Sequence, residues 1–166
     1  LISFGLVWIL LSQSGQIAPA VHVTFDGARA YDHVVAQMEF GPRVTGTESN
    51  RAAGDYIAEQ LRKAGWSVEF QYFTYRGTPA RNVIGRANID VGPIMILGAH
   101  YDTRRWADQD SAHARDPVPG ANDGASGVAV LLELARVLNL LDVRHEIWLV
   151  FFDAEDNGGI EGWDWI

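Results

Sequence analysis

The chain of 166 residues contains no cysteine, so neither disulfides nor thiolate metal ligands are available to it. Any bound metal must be held by oxygen and imidazole, a donor set that suits zinc, manganese or cobalt. Basic residues are scarce too: 13 Lys and Arg stand against 21 Asp and Glu, a formal net charge of −8. That balance argues against nucleic acid as a partner, because such binding needs a Lys/Arg footprint on one face. The apolar run over residues 1–11 is too short to span a bilayer comfortably, which takes about 20 residues. Internal repeats, low-complexity tracts and linkers are also missing. What remains, 48% hydrophobic and 20% charged, describes one ordinary globular domain with enough apolar material for a core.

The opening LISFGLVWILL is followed by Ser12-Gln13-Ser14-Gly15 and then Ala18-Pro19-Ala20. An apolar stretch before an A-x-A pattern reads as the tail of a secretory signal whose basic start is missing. An uncleaved membrane anchor and a buried strand are the alternatives. Residues 1–20 are therefore expected to be a signal remnant or anchor, and the protein to be exported: secreted, periplasmic or anchored outside the cytoplasm. The chain opens without Met and stops at Trp163-Asp164-Trp165-Ile166 without turn chemistry, so residues 21–166 are expected to be the N-terminal part of a longer domain.

Apolar spacing predicts a helix over residues 25–40, with Tyr31, Val34, Val35 and Met38 in phase, ended by Gly41-Pro42. A second helix runs to Lys63 with Ala53, Ile57 and Leu61 inward, closed by Ala64-Gly65. Residues 66–75 alternate as a half-buried strand, residues 76–79 read as a turn, and residues 82–86 as a short second strand. Residues 93–100 read as a buried strand, and residues 146–152 as another. Between them a helix over residues 124–138 turns Val128, Leu131, Leu132 and Ala135 inward. The polar segment over residues 103–120 has no periodicity, and loops of that length within a domain are usually functional or disordered. The expected fold class is α/β: a truncated three-layer sandwich with a mixed, mostly parallel sheet flanked by helices.

Three places deliver acids or imidazole. A lone histidine after a strand is ordinarily a packed core residue, but strand alternation puts His100 and Asp102 on one side. A ligand histidine commonly needs a carboxylate on its other ring nitrogen, which Asp102 can supply. Asp123 alone would read as a helix N-cap. Here Gly120, Gly124 and Gly127 surround it and permit close backbone approach. Glu155-Asp156 alone would read as an acidic turn. Adjacent acids at the mouth of an apolar strand are better explained by a cation between them and Asp123. On an open α/β sheet, ligands collect outside the carboxyl ends of the strands. His113, in the polar loop, reads as solvated.

The motifs Gly98-Ala99-His100-Tyr101-Asp102, Gly120-Ala121-Asn122-Asp123-Gly124-Ala125-Ser126-Gly127 and Phe151-Phe152-Asp153-Ala154-Glu155-Asp156 resemble those of the zinc aminopeptidases with two adjacent metals (peptidase family M28) and of their relatives the glutaminyl cyclases. Gly41-Pro42-Arg43 and Thr45-Gly46-Thr47 add to the resemblance, which covers roughly residues 35–165. It implies that His100 binds one zinc, Asp123 bridges two, Asp156 binds the other, and Glu155 is the general acid/base. Asp102 would orient His100, and the peptide after Asp123 would be cis. The family's second acid is usually Glu where this chain has Asp156, a shorter arm. Its remaining ligands, an Asp and a His, would lie beyond residue 166, so the chain alone is expected to be metal-poor and inactive. Zinc, one or two ions, is the expected cofactor, and peptides with free N-termini the expected partners. The leading expectation is an aminopeptidase. A glutaminyl cyclase with one zinc comes second, supported by Trp106, Trp163 and Trp165, and a non-catalytic binding domain third.

Overall fold

The computed structural model describes residues 23–138, 140–156 and 158. The apolar opening and the tryptophans at 163 and 165 lie outside the described residues. The elements run α1 (Gly27–Met38), α2 (Glu48–Lys63), β1 (Ser67–Tyr75), β2 (Thr78–Ala87), β3 (Ile94–His100), α3 (Ala125–Val137), a short 3-10 turn (Leu140–Asp142) and β4 (Glu146–Phe152).

Local chemistry accounts for the helix starts. The Asp26 carboxylate accepts from the N–H groups of Ala28 and Arg29, and the Thr47 hydroxyl accepts from the N–H of Asn50. In α2, Glu48 sits in the first turn and Arg62 and Lys63 in the last, each matched to the helix dipole. Helix α3 is different. Gly124 occupies its N-cap with no side-chain hydrogen bond, so Asp123 is not a plain cap and its carboxylate is left for other work.

The strands form one four-stranded sheet in the order β1-β2-β4-β3. β1 with β2 and β2 with β4 are antiparallel, and β3 with β4 is parallel. The sheet is mixed, as expected, but among the described strands antiparallel pairing outweighs parallel. β2 starts earlier than expected, at Thr78, because Arg76 and Gly77 both take positive φ and close a two-residue hairpin turn. Pro79 therefore lies in the strand, opposite Thr74.

One apolar core joins α2 (Ala53, Ile57, Leu61), α3 (Val128, Leu131, Leu132, Ala135) and one sheet face (Val83, Ile147, Leu149, Phe151). Close approach is built in: a Cβ on Gly85 would touch Leu61, and one on Gly127 would lie 3.0 Å from that of Ala99. Helix α1 lies against α3, with the Gln37 amide donating to the Ala125 carbonyl at 3.1 Å. Its inward residues are Ala30 and Gln37, while Tyr31 and Val35 are exposed, a shift from the face the apolar spacing suggested. β3 is not the buried strand expected. Ile94 and Ile96 are 53% and 58% exposed, because they share the sheet face opposite the helices, with Phe152 beside them. The result is the α/β architecture expected from the sequence, a mixed sheet flanked by helices, with α2 and α3 packed on its core face.

Candidate metal centre

β3 and β4 run parallel with His100 opposite Phe152, so both strands end at the same level. That register places the residues after β3 beside those after β4, and the Tyr101 N–H donates to the Phe152 carbonyl at 2.9 Å. The loop before α3 supplies the third wall.

The structure brings His100, Asp102, Asp123 and Glu155 together. His100 Nε2 lies 3.1 Å from Asp123 Oδ1, and its Nδ1 lies 3.6 Å from Asp102 Oδ1 and 3.7 Å from Glu155 Oε2. Asp102 is 1% exposed at its side chain, His100 20% and Asp123 62%, so the cluster passes from a dry floor to a wet mouth. Both His100 Nδ1 and Asp102 Oδ1 are buried without a hydrogen-bond partner. The Asp102 carboxylate, followed by the charges of Glu155 and Asp123, raises the His100 pKa to about 9 against the opposing effect of burial. The peptide between Asp123 and Gly124 is trans rather than the cis form the family resemblance implied.

Asp156 is placed differently. Its carboxylate is buried, accepting from Arg104 Nε at 2.8 Å and from the Arg104 backbone N–H at 3.0 Å. It still lines, with Asp123, a cavity of about 580 Å³ walled by Arg104, Asp108, Asp110 and Val118. The long loop that supplies most of this wall is irregular, as expected, and Trp106 on it is exposed. His113 pairs with Asp116 in solvent, away from the centre. Among the described residues no three His, Asp or Glu side chains already close into a metal cage. The donor chemistry nonetheless fits a borderline divalent cation: an imidazole Nε2 facing a carboxylate, a second carboxylate behind Nδ1, and a further acid on the same cavity wall.

Two residues without an assigned role hold this arrangement. Arg43 is fully buried, and its guanidinium donates to the carbonyls of Tyr101, Gln37, Gly41, Pro119 and Gly120. It thereby ties the segment after β3 to the loop that carries Asp123. Burial pulls its pKa down to about 10, with the charge of Asp102 acting the other way. Gly120, at φ +72°, passes so close that a Cβ there would strike Thr103 and the Arg43 guanidinium. Asp153 fixes the other side: its carboxylate accepts from the Thr45 hydroxyl (2.9 Å), the Asn50 amide (3.0 Å) and the N–H groups of Arg81 (3.0 Å) and Ala154 (2.9 Å). Ala154 takes φ +62°, a strained turn costing about 1–2 kcal/mol that throws Glu155 toward His100. The sequence names Arg43 and Asp153 only as parts of motifs. A buried-charge role for them needs the partners that folding supplies.

Residues 82–162 match the model of peptidase family M28. The solved structure of a leucine aminopeptidase precursor from Bacteroides thetaiotaomicron is 41% identical, covering 86% of this chain and 52% of that one, with TM-score 0.77. A glutaminyl cyclase from the same organism is also 41% identical, covering 86% and 51%, with TM-score 0.77. A Zn-dependent exopeptidase from Parabacteroides distasonis is 38% identical, covering 86% and 51%, with TM-score 0.76. The chain spans about half the length of each of these proteins. The family match, the mixed sheet and the residues gathered where β3 and β4 end agree: residues 82–162 of this chain form a peptidase family M28 region, similar to that of zinc-dependent exopeptidases and glutaminyl cyclases.

Proposed function

We propose that the protein is a zinc-dependent enzyme acting on the free N-terminus of peptides, and that its reaction is cyclisation of N-terminal glutamine. The observation that carries this reading is the Arg104 guanidinium lodged on Asp156 and Asp108. It is a resident cation within the acid cluster, so the remaining charge calls for one divalent metal rather than two. Of the two family chemistries, the cyclase needs one zinc and the aminopeptidase two. The acid-rich cavity wall (Asp108, Asp110, Asp123 and Asp156) suits the ammonium of a peptide N-terminus, which gives one proton to solvent before it reacts as the neutral amine.

His100, Asp123 and Asp156 are the residues that would hold the metal, with the Asp102 carboxylate standing 3.6 Å behind His100 Nδ1. Bound zinc supplies Lewis acidity toward the substrate's side-chain carboxamide. Glu155 then removes a proton from the α-amine, whose nitrogen forms a bond to the carboxamide carbon. The C–N bond to the leaving nitrogen breaks, and Glu155 returns the proton so that ammonia departs. The strained Ala154 turn holds Glu155 for both transfers.

Aminopeptidase chemistry is the second reading, favoured by the equal match to the leucine aminopeptidase precursor. The deciding experiment incubates the full-length protein with a glutaminyl and a leucyl peptide, alongside zinc analysis of the wild type and of Asp123→Ala. One zinc per chain, absent from the variant, with ammonia released only from the glutaminyl peptide, is the expected result. Two zincs with free leucine would replace the cyclase by the peptidase. A folded protein without zinc would sink both and leave a binding domain; the same test bears on export only through where the protein is recovered, which we propose is outside the cytoplasm.

A further inference from the structure

Arg104 does more than balance charge. Its Nε donates to Asp156 Oδ1 at 2.8 Å, and its backbone N–H donates to Asp156 Oδ2 at 3.0 Å. One residue thus grips both oxygens of a carboxylate, from side chain and main chain at once. The grip is itself anchored. Arg104 Nη1 lies 2.8 Å from Asp108 Oδ1, and the Arg104 carbonyl accepts from the Val118 N–H at 3.0 Å, pinning both ends of the polar loop. The stem packs so closely on Gly158 that a Cβ there would come within 2.7 Å of Arg104 Cδ. From the opposite side, the Asp156 N–H donates to Asp102 Oδ2 at 3.0 Å, joining Asp156 to the acid that stands behind His100.

A carboxylate held in this way has lost its rotational freedom but not its donor capacity, because each oxygen has accepted one bond and keeps a second lone pair. Carboxylates that bind metals are commonly fixed by such outer hydrogen bonds, whose removal weakens metal binding without touching a ligand. Asp also has the shorter arm of the two acids, so its aim depends on whatever holds it. We infer that Arg104 is a positioning residue for the metal, clamping Asp156 so that it faces the cavity it shares with Asp123. This rests on the zinc reading above. The opposite role, a cation that a metal must displace from Asp156, predicts the opposite sign.

The test is the zinc affinity of the full-length protein, measured by competition with a chromogenic chelator, for wild type, Arg104→Met and Arg104→Lys. Circular dichroism of the zinc-free proteins checks that each is folded. Arg104→Met is expected to bind zinc about 10–100-fold more weakly. Arg104→Lys, which keeps the charge and the backbone donor but not the planar fork, is expected to lie between it and the wild type. A folded Arg104→Met with unchanged affinity, even if thermally less stable, overturns the inference by leaving only a structural role. A tighter-binding Arg104→Met overturns it in favour of competition. Should Arg104→Met fail to fold, Arg104→Lys decides, and wild-type affinity in it is the overturning result. A wild type that binds no zinc overturns the metal reading itself, before any variant is compared.

Discussion

His100 is the residue on which the charges of the centre converge. Three carboxylates lie within 3.1–3.7 Å of its ring nitrogens, and they raise its pKa from 6.5 to about 9 in the metal-free protein. A folded pKa above the unfolded one means that the folded state holds the proton more tightly. The resulting stability is fully present below pH 6.5 and disappears as pH rises through about 9. Zinc-stripped protein should therefore lose melting temperature across that interval, and His100→Gln should lose less. A wild-type and a variant profile that run parallel would show that His100 does not carry the effect. The same residue was legible in the sequence as a site candidate only in company. Alternation paired it with Asp102, and glycines marked Asp123, but the grip of Arg104 on Asp156 depends on a contact far apart in the chain.

At the scale of elements, periodicity and capping chemistry located the helices, and the hydrophobic stripe of α3 is the one that meets the core. Composition alone suggests a buried β3, whereas exposure depends on what covers each face and edge of the sheet. Apolar spacing does not show the inward side of α1, because a polar residue, Gln37, is buried there through bonds to the His33 and Ala125 carbonyls. The turn from β4 to Glu155 makes a sharper demand. Four donors converge on Asp153, and an amide in its place would turn an NH₂ group toward some of them. Asp153→Asn is expected to destabilise the protein by about 1–3 kcal/mol for each donor left unsatisfied. Urea denaturation measures this, and a loss under about 0.5 kcal/mol would mean that the turn is held by something else.

For the whole molecule, the parallel pairing of β3 with β4 joins Ile94 to Glu146 and His100 to Phe152 across the polar loop and all of α3. Contacts so distant along the chain are slow to form, because the loop between them must be closed before the pairing returns any free energy. The hairpin of β1 and β2, joined by a two-residue turn, has no such delay. The centre at the ends of β3 and β4 is then among the last parts of the protein to assemble, and a metal arriving there meets an almost finished fold. Zinc should consequently act as a latch rather than a nucleus. In stopped-flow experiments on the full-length protein it is expected to slow unfolding and leave the refolding rate nearly unchanged. A refolding rate that climbs with zinc would place the metal in the transition state. The durability of the folded protein would then follow the availability of zinc in its surroundings, while the speed with which new molecules fold would not.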